Sequence, residues 1–298
     1  MTPWRYESVD GKHPRPGTQA ASVLCAIRIC SGAPGIVYFS PSSTALYHAM
    51  NRWKAAAIHL TISLVLAAIV ASLLYFLWFP SPYFVAAGAS TLIMLLMGVD
   101  VCIGPLLTLL VVNARKPMRL IRLDLSIIGL VQAVAFGYGI YVISSARPVF
   151  VVAEVDRLVI VAADQLDDPD LAKGNRPEFR KRSWTGPVLV GALPPKDDKG
   201  ADVAMQALHG GKDIDQLPAF YAPYDQVIDS LLQRAKPLAQ VRVENKRQQD
   251  RILELYSSSH GDVLQTLPLE RRDKDYTVVI SSRSKRPFAV LSVDPWKH

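Results

Sequence analysis

The chain is poor in cysteine, in catalytic motifs and, over one long stretch, in charge. Three cysteines occur in 298 residues, Cys25, Cys30 and Cys102, and none follows Arg147. The half after Arg147 is therefore not stapled by disulfides, whatever its compartment. There is no H-E-x-x-H, no G-x-S-x-G and no Walker loop. That removes the sequence grounds for a zincin, an α/β-hydrolase or a P-loop nucleotidase. With no cofactor motif either, no cofactor and no metal is expected, and the chain reads as a non-enzyme. Ser257-Ser258-Ser259-His260-Gly261-Asp262 puts serine, histidine and aspartate side by side. A triad is a spatial arrangement, however, and a loop is the expected structure there. Asp164, Asp167, Asp168 and Asp170 lack the alternation, glycine and closing glutamate of a calcium loop. They read as a solvated loop balanced by Arg176, Arg180, Lys181 and Arg182.

The net charge of +7 and pI of about 9.3 would suit a nucleic-acid partner. No zinc-finger spacing, ribonucleoprotein aromatic motif or basic helix accompanies that charge, so no nucleic acid is expected. Part of the excess instead flanks apolar runs. Between Ala55 and Val112 the single residue among Asp, Glu, Lys and Arg is Asp100.

Three runs are long enough for a hydrocarbon core, which takes about 20 helical residues. They span about 55–79, 84–112 and 124–145. The first ends in Trp78-Phe79 with Pro80 and Pro82 behind it, which suits the headgroup boundary. It is too long for a signal-peptide core and reads as a retained helix. Arg52 and Lys54 precede it. Arg115, Lys116, Arg119 and Arg122 fill the connection between the second and third runs, and Pro80–Tyr83 between the first and second is uncharged. By the positive-inside rule the basic sides are cytoplasmic. Everything after Arg147 then lies outside, in the periplasm of a Gram-negative cell. Residues 1–49 have no amphipathic period and read as a disordered extension, and Met50, before a short basic segment, is the expected start of translation. Residues 50–146 form the expected three-helix membrane domain and 147–298 an extracytoplasmic domain.

That last region reads as α+β with an antiparallel sheet. Strands are expected at 148–155, 158–163, 187–193, 276–282 and 287–293, with hairpins joining the first two and the last two. Helices are expected at about 200–208, 223–235 and 238–257. The first strand follows the third apolar run directly, so this domain should sit close against the end of that helix.

The polar residues within the apolar runs are the candidate site. Asp100, Gly104 and Thr108 repeat every four residues and share a helix face, with Pro105 beside Gly104. On the third run Ser126, Gly129, Gln132 and Ala133 are placed on one small-residue face. Gln132 lies at a depth similar to Asp100. An ionisable group in such a helix normally faces protein and has a partner. Two readings stay open: an internal Asp100–Gln132 contact that packs the bundle, or a site for an incoming transmembrane helix. His59, near the start of its run, reads as interfacial.

Seven segments carry a resemblance. They are MNRWKAAAIHL (50–60), VDVCIGPLLTL (99–109), RPVFVVAEVDR (147–157), ALPP (192–195), YAPYD (221–225), AKPLA (235–239) and VDPW (293–296). In this order the chain resembles the type IV pilin accessory proteins of the TfpX/TfpZ family from about Met50 onward. The resemblance implies an inner-membrane, non-enzymatic chaperone that modulates pilin stability, assembly or surface display. Its implied partners are a major or minor type IV pilin, membrane lipid and other pilus assembly proteins. The alternative from the residues alone is a membrane sensor or transporter-associated subunit whose outside domain binds a ligand. It lacks a cytoplasmic output domain and the inverted repeats of a transporter.

Overall fold

Long runs dominated by Leu, Ile, Val and Ala form helices. The computed structural model describes residues 52–113, 116–194, 205, 209, 211–272 and 274–297. Three helices are long and apolar enough to cross a membrane: α1 (Arg52–Trp78), α2 (Ala89–Val111) and α3 (Met118–Ala146). The last turn of α1 widens into a π-helix over Leu74–Trp78 before Pro80. α3 starts earlier than its apolar run, because Pro117 sets an extended backbone just before it and Met118–Leu123 continue helically onto the run. Lys116, beside Pro117, pairs with Asp124 at 3.2 Å.

The three helices pack through two apolar clusters. Ala55, Val112 and Ile121 join one end, with Met118 and Leu125 against them. Leu74, Phe79, Ala87, Ala89, Leu96 and Ile143 join the other. α2 and α3 approach closely there, since a Cβ on Gly139 would collide with Leu96.

Beyond α3 the chain forms an eight-stranded sheet of order β4-β3-β1-β2-β6-β7-β8, with β5 also pairing β6. The strands are β1 (Pro148–Ala153), β2 (Leu158–Ala162), β3 (Val188–Ala192), β4 (Tyr221–Pro223), β5 (Lys236–Pro237), β6 (Leu264–Arg271), β7 (Lys274–Ser281) and β8 (Pro287–Leu291). The two hairpins expected from the sequence are present as β1–β2 and β7–β8. The sheet is mixed, which corrects the antiparallel expectation: β1 pairs β3 in parallel and β2 pairs β6 in parallel. The long connections that return to β3 and β6 re-enter alongside β1 and β2 rather than against them, as crossovers do.

Among the described residues three α-helices accompany the sheet: α4 (Asp168–Leu171), α5 (Ile228–Leu232) and α6 (Lys246–Ser258). The helix expected at 223–235 contracts to α5 after a 3₁₀ turn at Tyr224–Gln226. The one expected at 238–257 starts late, where the Asn245 side chain accepts the Gln248 N–H at 3.0 Å. The stretch 200–208 lies outside the described residues apart from Met205. The acidic loop is ion-paired: Asp164 with Arg272, Asp167 and Asp170 with Lys212, and Asp168 with Arg182.

One sheet face carries a continuous core including Val151, Leu158, Ile160, Leu267, Leu269, Val278 and Ile280. Tyr83 and Ala86, from the connection between α1 and α2, belong to that same core. The connection is thus built into the sheet rather than lying apart from it. Gly88 is left-handed at φ +71° just before α2, and a Cβ there would strike the Arg271 guanidinium. Arg147 completes the junction. It is 6% exposed, stacks over Trp78 and Trp184 with its carbon 5.8 and 4.3 Å from the ring centres, and donates to the carbonyls of Ser144 and Ser183.

Candidate functional site

Between the two apolar clusters of the helices lies a polar node, and its cause is Pro105. Proline lacks an N–H and its ring clashes with the carbonyl one turn back, so α2 cannot pass through it in ordinary register. The helix answers with a π-helical segment at Val99–Ile103, and resumes as α-helix from Gly104. In π register the carbonyl of Asp100 faces position 105, which has no N–H to give. The side-chain amide of Gln132, from α3, donates to that carbonyl at 3.4 Å. A side chain from the neighbouring helix thus takes the place of the missing backbone donor.

Gly104 and Thr108 follow on the same face, and both are buried. Thr108 Oγ1 lies 2.6 Å from Nδ1 of His59, on α1. His59 is therefore a partner of α2. It stands in a stripe on α1 with Ala55 and Ser63, both buried. The glycine is what lets the helices meet. A Cβ at 104 would lie 2.9 Å from His59 Nε2 and closer still to the Gln132 amide nitrogen. Residues from three helices thus converge on one backbone position.

Asp100 is half-buried, and its Oδ1 is buried with no hydrogen-bond partner among the described residues. The contact from Gln132 reaches its main chain. Pro105 is half-buried beside the node. On α3, Ser126, Gly129 and Ala133 are exposed, so they do not share the inward face with Gln132. That face is made by Ile121, Ile128 and Ile143. The small residues misled because a helix face is set by its bulkiest packing residues as readily as by its smallest. Of the basic residues expected to set the topology, Arg52, Lys54, Lys116, Arg119 and Arg122 are exposed, at the end of the bundle closed by Ala55, Val112 and Ile121. Arg115 lies outside the described residues.

A second polar cluster, unforeseen in the sequence, sits at the end of the β1–β2 hairpin. Burial, with Asp215 and Asp213 nearby, pushes the Glu154 carboxyl up to about 8. Burial, with Asp213 and Glu270, pushes Asp215 up to about 7. Glu154 Oε1 is buried without a partner among the described residues. Arg157 pairs with Asp156 and Glu270 at 2.9 and 2.7 Å rather than with either raised carboxyl. No spacing of residues 154 and 215 announces this cluster; the fold alone brings them together.

The family described as fimbrial assembly protein FimB matches residues 48–88. The fimbrial assembly protein of serogroup I from Dichelobacter nodosus is 36% identical over 240 residues, covering 80% of this chain and 90% of that relative. The serogroup E1 protein of the same organism is 35% identical over 240 residues with the same coverage. That of serogroups C1 and C2 is 43% identical over 109 residues, 37% of this chain and 83% of the relative. No solved structure matches. The first two alignments run through both the helices and the sheet, and on them this chain belongs to the fimbrial assembly protein family.

Proposed function

We propose that the chain is an inner-membrane accessory factor for type IV pilin, of the TfpX/TfpZ kind. In this reading it binds pilin and modulates its stability, assembly or display. The observation that carries the reading is the 36% identity to a fimbrial assembly protein over 80% of the chain. The helices support the membrane placement: Ile62, Leu110 and Leu130 are apolar and exposed on their outer surfaces, which suits lipid rather than water. The exposed basic end of the bundle is then cytoplasmic and the sheet periplasmic.

A pilin subunit offers an apolar helix in the membrane and a head outside it. The chain offers a counterpart to each, three apolar helices and a sheet built onto their ends. Within the helices the buried Oδ1 of Asp100 has no hydrogen-bond partner among the described residues. A carboxyl in that state attracts a donor, and the amino end of an incoming helix supplies several.

The test is co-purification with pilin in mild detergent, from cells carrying the wild-type chain or Asp100→Asn. Recovery of pilin with the wild type, reduced at least fivefold by Asp100→Asn at equal protein level, is expected. Absence of pilin from the wild-type preparation, with unchanged piliation in a deletion strain, would overturn the reading. If Asp100→Asn instead lowers the amount of protein itself, Asp100 belongs to the packing of the bundle and not to the client site.

A further inference from the structure

Trp184 is 63% exposed, yet the loop that carries it is pinned. Its ring centre is 6.1 Å from that of Trp78, the last residue of α1. The buried Arg147 guanidinium lies over both rings and donates to the carbonyl of Ser183. Two residues on, Gly186 adopts φ +84° and packs so closely on Pro80 that a Cβ would lie 2.7 Å from the proline ring. The loop is thus clamped at 183 and at 186 to the end of an apolar helix, with an aromatic face turned outward.

Such a ring could be left over from packing, or it could have a medium to enter. The exposed residues of the same loop and of the last turns of α3 decide between these. Arg180 and Lys181 precede it and are both exposed. Tyr138 and Tyr141, on the last turns of α3, are exposed at 69% and 67%. Exposed indole and phenol rings and exposed cations toward the end of an apolar helix have the composition of the membrane interface, where an amphipathic ring sits at headgroup level. Charge also selects the kind of lipid, since cations held at that level favour anionic headgroups.

We propose that the 180–186 loop lies in the outer headgroup layer, Trp184 among the glycerol and upper acyl groups and Lys181 against anionic phosphates. This second anchor fixes the tilt of the sheet on the membrane. One face of the sheet domain is thereby committed to lipid and withdrawn from partner binding. The inference rests on the membrane placement proposed above.

The test uses the full chain in nanodiscs whose lipids carry bromines high on the acyl chain, which quench nearby indole. Wild type, Trp78→Phe and Trp184→Phe are compared in phosphatidylcholine with and without phosphatidylglycerol. Each substitution is expected to remove a quenchable part of the emission. Trp184 quenching should rise at least 1.5-fold with phosphatidylglycerol. That rise should vanish in Lys181→Gln and at high salt, where exposed charges are screened. If Trp78→Phe lowers the quenchable emission and Trp184→Phe does not, the loop does not reach the lipid and this inference fails while the membrane placement stands. If neither does, the placement itself fails. Quenching of Trp184 that ignores both lipid charge and Lys181→Gln overturns the anionic-lipid contact.

Discussion

His59 Nδ1 lies 2.6 Å from the hydroxyl of Thr108, a bond between α1 and α2 one turn from the glycine on which all three helices converge. In the proposed membrane placement neither group has water to fall back on. Polar contacts between such helices are nonetheless modest, averaging about 0.6 kcal/mol and reaching about 1.7. A double-mutant cycle with His59→Ala and Thr108→Val should therefore return a coupling of about 1 kcal/mol. Unfolding in mixed micelles measures it. Strictly additive losses would mean that the two groups merely sit side by side.

Gly104 should be graded in its tolerance. An added methyl meets the far end of Gln132, a side chain able to swing aside, and His59 Nε2 at 2.9 Å. Gly104→Ala should then cost about 0.6 kcal/mol through loss of the Gln132 bond to the Asp100 carbonyl. Gly104→Leu has no such escape and should force α2 away from its neighbours, with a loss several times larger. Thermal unfolding in detergent compares the two. Equal, small effects would place the close approach of the helices elsewhere.

How much of this was legible beforehand differs by element. The apolar helices were, because length and hydropathy are local. Asp100, Gly104 and Thr108 shared a face by spacing alone. The bond of His59 to Thr108 was not legible, because it joins residues 49 apart on two different helices. The hairpins β1–β2 and β7–β8 were legible as β-branched runs close in sequence. β6 was not: Leu264–Arg271 holds Pro268 in its middle, and its apolar alternation is broken by charge at its end. Its parallel partner β2 lies a hundred residues earlier, so nothing local records the pairing that makes the sheet mixed.

Arg147 should behave as a keystone between α3 and the sheet. Burial and the neighbouring Arg182 lower its pKa, yet it holds two carbonyls and two indole faces. Arg147→Ala should lose about 2–3 kcal/mol, combining the cation–π contacts with the charged hydrogen bonds. Arg147→Lys should recover little, because an ammonium cannot stack in the gap between two rings as a planar guanidinium does. Amide exchange at 183–186 should speed up in both. Unchanged exchange there would show that the Gly186–Pro80 contact holds the loop by itself.

The buried carboxyls set a pH dependence whose sign runs against the common one. Glu154 at about 8 and Asp215 at about 7 hold protons in the folded chain that they have lost, above about pH 4–5, in the unfolded one. Between those limits the folded state binds more protons, so stability falls as pH rises, by up to about 1.4 kcal/mol per pH unit for each group. The fall ends near pH 8, where Glu154 ionises in the folded state as well. Because Glu154 and Asp215 interact, the steps belong to the pair. Glu154→Gln keeps the shape of the neutral acid without its titration. It should flatten the slope between about pH 5 and 8 and leave the variant more stable than wild type at pH 8. Denaturation of the full chain in detergent at a series of pH values measures this. A variant with the wild-type slope would show that Glu154 is ionised in the folded chain across the whole range.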